Sequence, residues 1–266
     1  MNQFAVFLGV FTYEFRMQIR RRALWITMGL IVFLLVGILS RQQRILDAIT
    51  HLNSFPLLND VVMWTSMINI VLPVGVGIML ADRLPRDRRM RVDELFTSMP
   101  GALSARLNGK YLGSMCASLV PVLAFYLIGL GVIFYQTHDL MTIPYALAAF
   151  STIVLPGMIF VSAFSIACPA IMWVPLYQFL FVGYWFWGNL LPPVGIPTLS
   201  ATILTPIGGY ACTGFFGGQR HEGVCAHGIE GATALAGVES ITLLLAISVL
   251  VMFVLWQLLK WQQTRQ

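Results

Sequence analysis

Six long apolar stretches constrain this sequence more than any other feature. They cover residues 23–39, 61–81, 111–135, 143–167, 171–191 and 239–259. A helix needs about 20 apolar residues to cross a bilayer, and each stretch is close to or above that length. Uninterrupted apolar runs do not match the alternating pattern of membrane-barrel strands. We therefore predict an all-α integral membrane protein with six transmembrane helices, forming one transmembrane domain over residues 1–266.

The composition excludes a soluble domain. Hydrophobic residues make up 58% of the 266 residues and charged residues only 10%, whereas soluble domains carry about 25% charged residues. The net charge of +5 does not indicate nucleic-acid binding, because the basic residues cluster beside the apolar stretches, where they interact with anionic headgroups. We therefore expect membrane lipids, and no nucleic acid, among the partners.

The distribution of basic residues predicts the orientation. If the N-terminus lies inside, thirteen of the sixteen Lys and Arg residues fall in inner segments, and only Arg41, Arg44 and Arg220 fall in outer ones. Basic residues near membrane spans stay on the cytoplasmic side. The sequence therefore predicts a multi-pass protein of the inner or plasma membrane with both termini in the cytoplasm.

Residues 1–20 form a separate element before the first span. Apolar residues recur there at helical spacing, and polar side chains follow them. The apolar residues are Phe4, Phe7, Leu8, Phe11 and Phe15, and the polar ones are Glu14, Arg16 and Arg20. This pattern indicates an amphipathic helix on the inner leaflet. The alternative is an extension of the first span, which would place Arg20–Arg22 in hydrocarbon at a high cost.

The long outer connection, residues 192–238, contains most of the remaining features on that side. Its first part, residues 194–204, is apolar but too short to cross the membrane and return, which indicates a short re-entrant or interfacial segment. Cys212 and Cys225 suit a disulfide in an oxidising compartment. Two unpaired thiols, or a metal site shared with His221 and His227, are the alternatives; because the spacing fits no standard zinc pattern, we predict no metal.

Four residues interrupt the apolar spans and are candidates for a translocation path. They are Asn69, Pro73, Gln178 and Asn189. Pro73 lacks the N–H that would bond the carbonyl of Asn69, so the second span has a polar, kinked point. The alternative for each residue is a structural role in helix packing.

The connection between the second and third spans, residues 82–110, is the most basic part of the chain. The stretch 81–113, ADRLPRDRRMRVDELFTSMPGALSARLNGKYLG, holds seven of the sixteen basic residues. Within it, Val92, Leu95, Phe96 and Met99 have the spacing of one apolar helix face. Arg88, Arg89 and Arg91 crowd the start of that helix, where its dipole disfavours cations. This arrangement indicates a helix that docks on an acidic surface or on lipid phosphates; a solvated, positive-inside loop is the alternative.

The same stretch resembles the permease subunits of ABC transporters of the ABC-2 type. The residues that carry the resemblance are Asp82, Arg86, Asp87, Glu94, Leu95, Ser98, Pro100, Gly109, Lys110 and Gly113. The motif covers about thirty residues. The wider layout is similar over the whole chain: an interfacial start, six spans, a cytoplasmic loop after the second span and a long outer connection before the sixth.

The resemblance implies a coupling helix that docks on a separate nucleotide-binding ATPase subunit. The implied docking residues are Arg86, Asp87, Arg88, Arg89, Arg91, Val92, Glu94, Leu95, Phe96 and Met99. It also implies pairing with a second permease copy or a paralogue, an elbow at Gly109 and Lys110, and export of a lipophilic, amphipathic or polymeric substrate. Because the chain has no GxxxxGK[ST] sequence, we expect no cofactor and no enzymatic activity in this chain, with ATP and Mg bound by the partner.

Two other functions remain open from the sequence. One is a non-transporting scaffold or assembly subunit of a larger membrane complex, in which the basic loop anchors a partner. The other is an ion-coupled secondary carrier, which the scarcity of acidic residues within the spans disfavours.

Overall fold

The computed structural model describes residues 3–41, 57–89, 102–191, 198–200, 202–217, 225, 229 and 231–264. This part of the chain is helical and contains no strand. Its α-helices are α1 (Gln3–Ile19), α2 (Arg22–Arg41), α3 (Leu57–Ala81), α4 (Arg83–Arg89), α5 (Leu103–Thr137), α6 (Thr142–Ala149), α7 (Leu155–Ala167), α8 (Val174–Leu190), α9 (Gly209–Phe216) and α10 (Ala234–Gln263). The predicted all-α class is confirmed.

Four helical segments have the length and composition needed to cross a membrane. They are Leu57–Arg86, Leu103–Thr137, Thr142–Ala170 and Ala234–Gln263, each of 29 to 35 residues. The protein is therefore a membrane-embedded helical protein. The two other predicted spans coincide with α2, whose apolar part Arg22–Leu34 is shorter, and with α8, which has 17 residues.

Neighbouring long helices run in opposite directions around α3. Trp64, early in α3, donates a hydrogen bond to the carbonyl of Tyr126, late in α5, whereas Arg83, just after α3, and Lys110, early in α5, share the carboxylate of Glu14. On α8, Trp185 bonds to Ile70 and Gln178 bonds to Ile78, so α8 is also antiparallel to α3. We call the end of the bundle where α3 ends and α5 begins the basic end.

The helix boundaries differ from the predicted ones at the central connection. α5 begins at Leu103 rather than at residue 111, and α4 occupies Arg83–Arg89. Gly109 and Lys110 therefore lie inside α5 and do not form an elbow. Residues 90–101, which include most of the predicted coupling helix, lie outside the described part of the chain.

The connection over residues 192–238, predicted to lie outside and called the outer connection here, contains a short helix of its own. α9 is bounded by Gly208 with φ 79° and Gly217 with φ 71°, a backbone conformation that glycine adopts without steric cost. α10 then begins at Ala234, earlier than the predicted residue 239, where the side chain of Thr233 accepts a hydrogen bond from the backbone N–H of Ala236. Such a cap satisfies one of the free N–H groups at a helix start.

α3 is the central helix of the fold. In its most apolar window 72% of the residues are buried, compared with 28% for α10, and it packs against α2, α5, α7 and α8. The residues of the fourth predicted span, 143–167, form α6 and α7 with a π-helical turn, Phe150–Val154, between them. A π-helical turn interrupts the regular hydrogen bonding of an α-helix, and such turns occur frequently at functional sites.

Candidate functional site at the base of the central connection

The N-terminal helix lies against the first turns of α5 through two glycines. A Cβ atom at Gly109 would lie 2.8 Å from the carbonyl oxygen of Phe7, and one at Gly113 would lie 2.7 Å from the carbonyl oxygen of Phe11. The spacing is the small-xxx-small pattern that lets two helix backbones approach closely. Because higher residue numbers on α1 meet higher numbers on α5, the two helices run in the same direction.

This approach buries a carboxylate between two cations. The side chain of Glu14 on α1 is 6% exposed; its Oε1 lies 3.5 Å from Nζ of Lys110 on α5, and its Oε2 lies 3.7 Å from Nη1 of Arg83 on α4. We call these three residues the buried ion cluster. A charge removed from water is costly unless it is paired, so the pairing selects this arrangement of the three helices.

Two polar residues of α1, Glu14 and Gln18, face the protein. Gln18 is fully buried and donates a hydrogen bond to Ser118 on α5, and Glu14 is buried beside it, whereas Phe4 and Tyr13 are 65% and 64% exposed. The sequence predicted that Glu14 would belong to the water-facing side of an interfacial helix. That assignment is wrong, because the glycines of α5 bring a neighbouring helix onto the polar face.

Further cations gather at the same place. Arg21, between α1 and α2, is partly buried; burial lowers its pKa from the ordinary value, and the charge of Arg86 lowers it further, while Asp82 and Glu14 oppose both effects. Arg83 is 2% exposed. Positive charge is therefore concentrated at the basic end, where α4 and α5 bracket residues 90–101.

The predicted docking residues fall into two groups. Arg86 is half-buried on α4, and the backbones of Asp87, Arg88 and Arg89 continue that helix. The others, Arg91, Val92, Glu94, Leu95, Phe96 and Met99, lie outside the described residues. Residues 90–101 thus connect α4, which begins with Arg83, to α5, which contains Lys110. Both cations pair with Glu14, so the helices on either side of residues 90–101 contact the same carboxylate.

A second polar site lies at the middle of α3. The amide of Asn69, which is fully buried, donates hydrogen bonds to three backbone carbonyls: Ile153 at 3.2 Å, Pro206 at 3.2 Å and Ile207 at 2.8 Å. Pro73 lies one turn further along the helix. The outer connection therefore reaches the centre of the bundle, where Asn69 holds it against α3 and the π-helical turn.

The other two candidates for a translocation path also bond to backbone or side chains. Gln178 donates to the carbonyl of Ile78, and Asn189 donates to Trp185 and accepts from Thr205. Asn69 and Asn189 thus hold the same part of the outer connection, and Gln178 lies nearer the basic end. Trp185, four residues before Asn189, is 2% exposed, and its indole donates a hydrogen bond to the carbonyl of Ile70.

The cysteines of the outer connection are joined. Cys212 in α9 and Cys225 form a disulfide with a Cα–Cα distance of 6.1 Å, and Cys116 and Cys168 are free thiols. The described residues contain no cluster of three His, Cys, Asp or Glu side chains suited to a metal ion. The disulfide links α9 to the following part of the connection.

Comparison with known proteins adds no relative. No family model, no curated protein and no solved structure matches this chain. The features that point to a function are therefore the sequence pattern of the chain and the geometry of these two sites. Sequence reasoning missed Arg83 and Gln18 as buried groups; the spacing of Gly109 and Gly113 was the available signal, because it marks a place where another helix approaches closely.

Proposed function

We propose that this chain is the membrane-spanning permease subunit of an ATP-driven ABC-2 type exporter. A separate nucleotide-binding subunit would bind ATP and Mg, and the permease would move a lipophilic, amphipathic or polymeric substrate outward. The proposal includes six spans, a plasma-membrane location and both termini in the cytoplasm. One observation carries it: Glu14 ties the two helices that flank the basic connection to each other and to the N-terminal helix.

This arrangement suits a connection that transmits force. A partner that pushes on residues 90–101 acts on α4 and α5, the two helices that bracket them. Because Arg83 and Lys110 share one buried carboxylate, separating the flanks would expose or unpair charges. The flanks therefore move together, and α1 moves with them.

α3 extends from the basic end to the second polar site. It ends next to Arg83, and at its centre Asn69 holds the outer connection. A displacement at the basic end therefore reaches the outer connection through a single helix. This continuity supports a transporter in which ATP-driven movement on one side of the membrane changes the access of substrate to the other side.

The test is to purify the chain gently from its native membrane and identify what accompanies it. We expect a stoichiometric protein of about 25–35 kDa that carries a Walker A sequence. Leu95→Asp with Phe96→Asp should release it, because a charged apolar face no longer docks. The matched control is Thr97→Asp with Ser98→Asp, which adds the same charge away from that face. Equal retention of the ATPase by both variants would contradict the proposal.

One observation favours a non-transporting scaffold subunit as the second candidate. Asn69, Gln178 and Asn189 all make hydrogen bonds to groups of the bundle itself, as expected for residues that hold helices together. Vesicles that contain the chain and its ATPase partner separate the two functions. Transport of no lipophilic or amphipathic probe, together with unchanged ATPase activity on removal of the chain, would establish the scaffold.

A further inference from the structure

The basic end carries more positive charge than its carboxylates offset. Four cations and two carboxylates meet there, and Arg83 lies within electrostatic range of the other five. The cations are Arg21, Arg83, Arg86 and Lys110, and the carboxylates are Glu14 and Asp82. Like charges that are partly removed from water repel each other strongly. The described residues therefore do not neutralise the positive charge of the basic end, which favours the binding of an anion there.

Arg83 is the centre of this imbalance. Its side chain is 2% exposed, and its Nε, Nη1 and Nη2 atoms have no hydrogen-bond partner among the described residues. The closest carboxylate oxygen, Oε2 of Glu14, is 3.7 Å from Nη1, which is too long for a hydrogen bond. A guanidinium offers five N–H donors, so a buried one without acceptors points to a missing ligand with several oxygens.

Arg21 and Arg86 make this site reachable. Both are half-buried, each lies within electrostatic range of Arg83, and they come from two different parts of the chain. Guanidinium groups match phosphate oxygens in a forked, two-bond geometry, and several of them can share one phosphate. A carboxylate has two oxygens and less charge to share. The chemistry therefore favours a phosphate over an acidic side chain.

An apolar surface begins beside the arginines. Trp25 and Ile26, in the first turns of α2, are 41% and 67% exposed, and the indole of Trp25 bonds back to the carbonyl of Ile19, at the junction that carries Arg21. Headgroup phosphates lie where apolar helices meet basic residues. A phosphate at Arg21 and Arg86 would have its acyl chains along this face of α2.

We propose that Arg21, Arg83 and Arg86 form a binding site for the phosphate of a phospholipid headgroup, with the acyl chains along α2. Arg86 is also one of the implied ATPase-docking residues and Arg83 pairs with Glu14, but lipid binding at this site does not require the proposed export function. The lipid would bridge the α1–α2 junction and α4. It would thereby stabilise the basic end from the membrane side.

The experiment measures lipid binding to the full-length, delipidated chain in detergent by native mass spectrometry. The probes are phosphatidylglycerol, a diacylglycerol with the same chains, oleate and inorganic phosphate. We expect binding of phosphatidylglycerol, and an apparent Kd at least about tenfold weaker in the Arg21→Gln/Arg86→Gln variant, because two charge-assisted contacts are lost. The matched control, Arg16→Gln/Arg20→Gln, removes two exposed cations, one on α1 and one just after it, and should stay within about twofold of the wild type.

Arg83 is tested in a variant that keeps the net charge of the basic end unchanged. Glu14→Gln/Arg83→Gln removes one charge of each sign, and of the buried ion cluster only Lys110 keeps its charge, without its carboxylate. We expect this variant to bind phosphatidylglycerol more weakly than the wild type while keeping its helical circular dichroism spectrum. If this variant unfolds, the phosphatidylglycerol affinity of Arg21→Gln/Arg86→Gln relative to the wild type tests the proposal by itself.

Four results would overturn the proposal. The first is equal affinity of the wild type and Arg21→Gln/Arg86→Gln for phosphatidylglycerol. The second is equal binding of diacylglycerol, which would show that the chains alone are recognised. The third is equal binding of oleate, which would show a general preference for anionic amphiphiles. The fourth is displacement of the lipid by an equimolar amount of inorganic phosphate, which would assign the site to a soluble phosphate.

Discussion

The carboxylate of Glu14 lies 3.5 Å from the ammonium group of Lys110, which joins the N-terminal helix to the start of α5. Arg83 approaches the other oxygen of the same carboxylate. Three helices that the apolar pattern treats as independent therefore meet at one buried acid. This contact fixes the position of the chain on both sides of the basic connection.

Removing the charge of Glu14 should destabilise the protein. Glu14→Gln leaves Arg83 and Lys110 without their carboxylate, and breaking a buried ion pair in this way costs roughly 3–5 kcal/mol. We expect a lower melting temperature in detergent for Glu14→Gln, while the matched control Glu239→Gln, at an exposed carboxylate, stays close to the wild type. Glu14→Gln/Lys110→Gln should recover part of the loss. Equal melting temperatures for the two single variants would refute the role of Glu14.

Close packing of α1 on α5 predicts opposite effects for two glycines of the same helix. Gly113→Ala would place a Cβ 2.7 Å from the carbonyl oxygen of Phe11, a backbone atom that cannot rotate away, so we expect a loss of about 1–3 kcal/mol. Gly131→Ala meets nothing within 4 Å and should be neutral or stabilising by up to about 1 kcal/mol. Thermal unfolding measures both. A stable Gly113→Ala variant would mean that α1 is not held against α5 in this way.

Asn69 should control the mobility of the outer connection. Asn69→Asp keeps the shape but removes the donor group, so the carbonyls of Ile153, Pro206 and Ile207 lose their hydrogen bonds and face a carboxylate. We expect faster hydrogen exchange in residues 202–217, measured by mass spectrometry. Gln178→Glu, which loses one such bond, is the matched control and should leave this segment unchanged. Slow exchange in Asn69→Asp would show that the segment is held by other contacts.

The disulfide gives a prediction that needs no variant. In denaturant without a reductant, alkylation should modify two of the four cysteines, Cys116 and Cys168. After reduction all four should react. Because the bond closes a loop with a sequence separation of 13, reduction should cost about 3 kcal/mol in the chain-entropy account. Four reactive thiols before reduction would exclude the bond.

The sequence predicted the helices better than their contacts. Each of the six apolar stretches is mainly helical, the fourth as α6 and α7 with the π-helical turn between them. The membrane class follows from four of these stretches, and the count of six spans stays a prediction. Periodicity also predicted a helix within residues 1–20, where α1 occupies Gln3–Ile19. It assigned the wrong environment to Glu14, because amphipathic spacing identifies a polar face but not the helix that covers it.

The candidate sites show the same division. Asn69 and Pro73 were found from the sequence because a polar residue and a proline interrupt an apolar run. The hydrogen-bonding partners of Asn69 were not found from the sequence, because Pro206 and Ile207 belong to a connection far along the chain. The burial of Trp185 could not be predicted for a related reason: its residue type favours a membrane interface, but its indole donates a hydrogen bond to a carbonyl of α3.

The sequence alone determined that this chain is helical, belongs in a membrane and concentrates its charge in one connection. Those properties depend on hydropathy and on spacings of three or four residues, which are local. Only the tertiary structure decided that Glu14 pairs with Arg83 and Lys110 and that Asn69 holds the outer connection. Those contacts join distant parts of the chain, and they form because burying a polar group is favourable only where a partner from another helix is already in place.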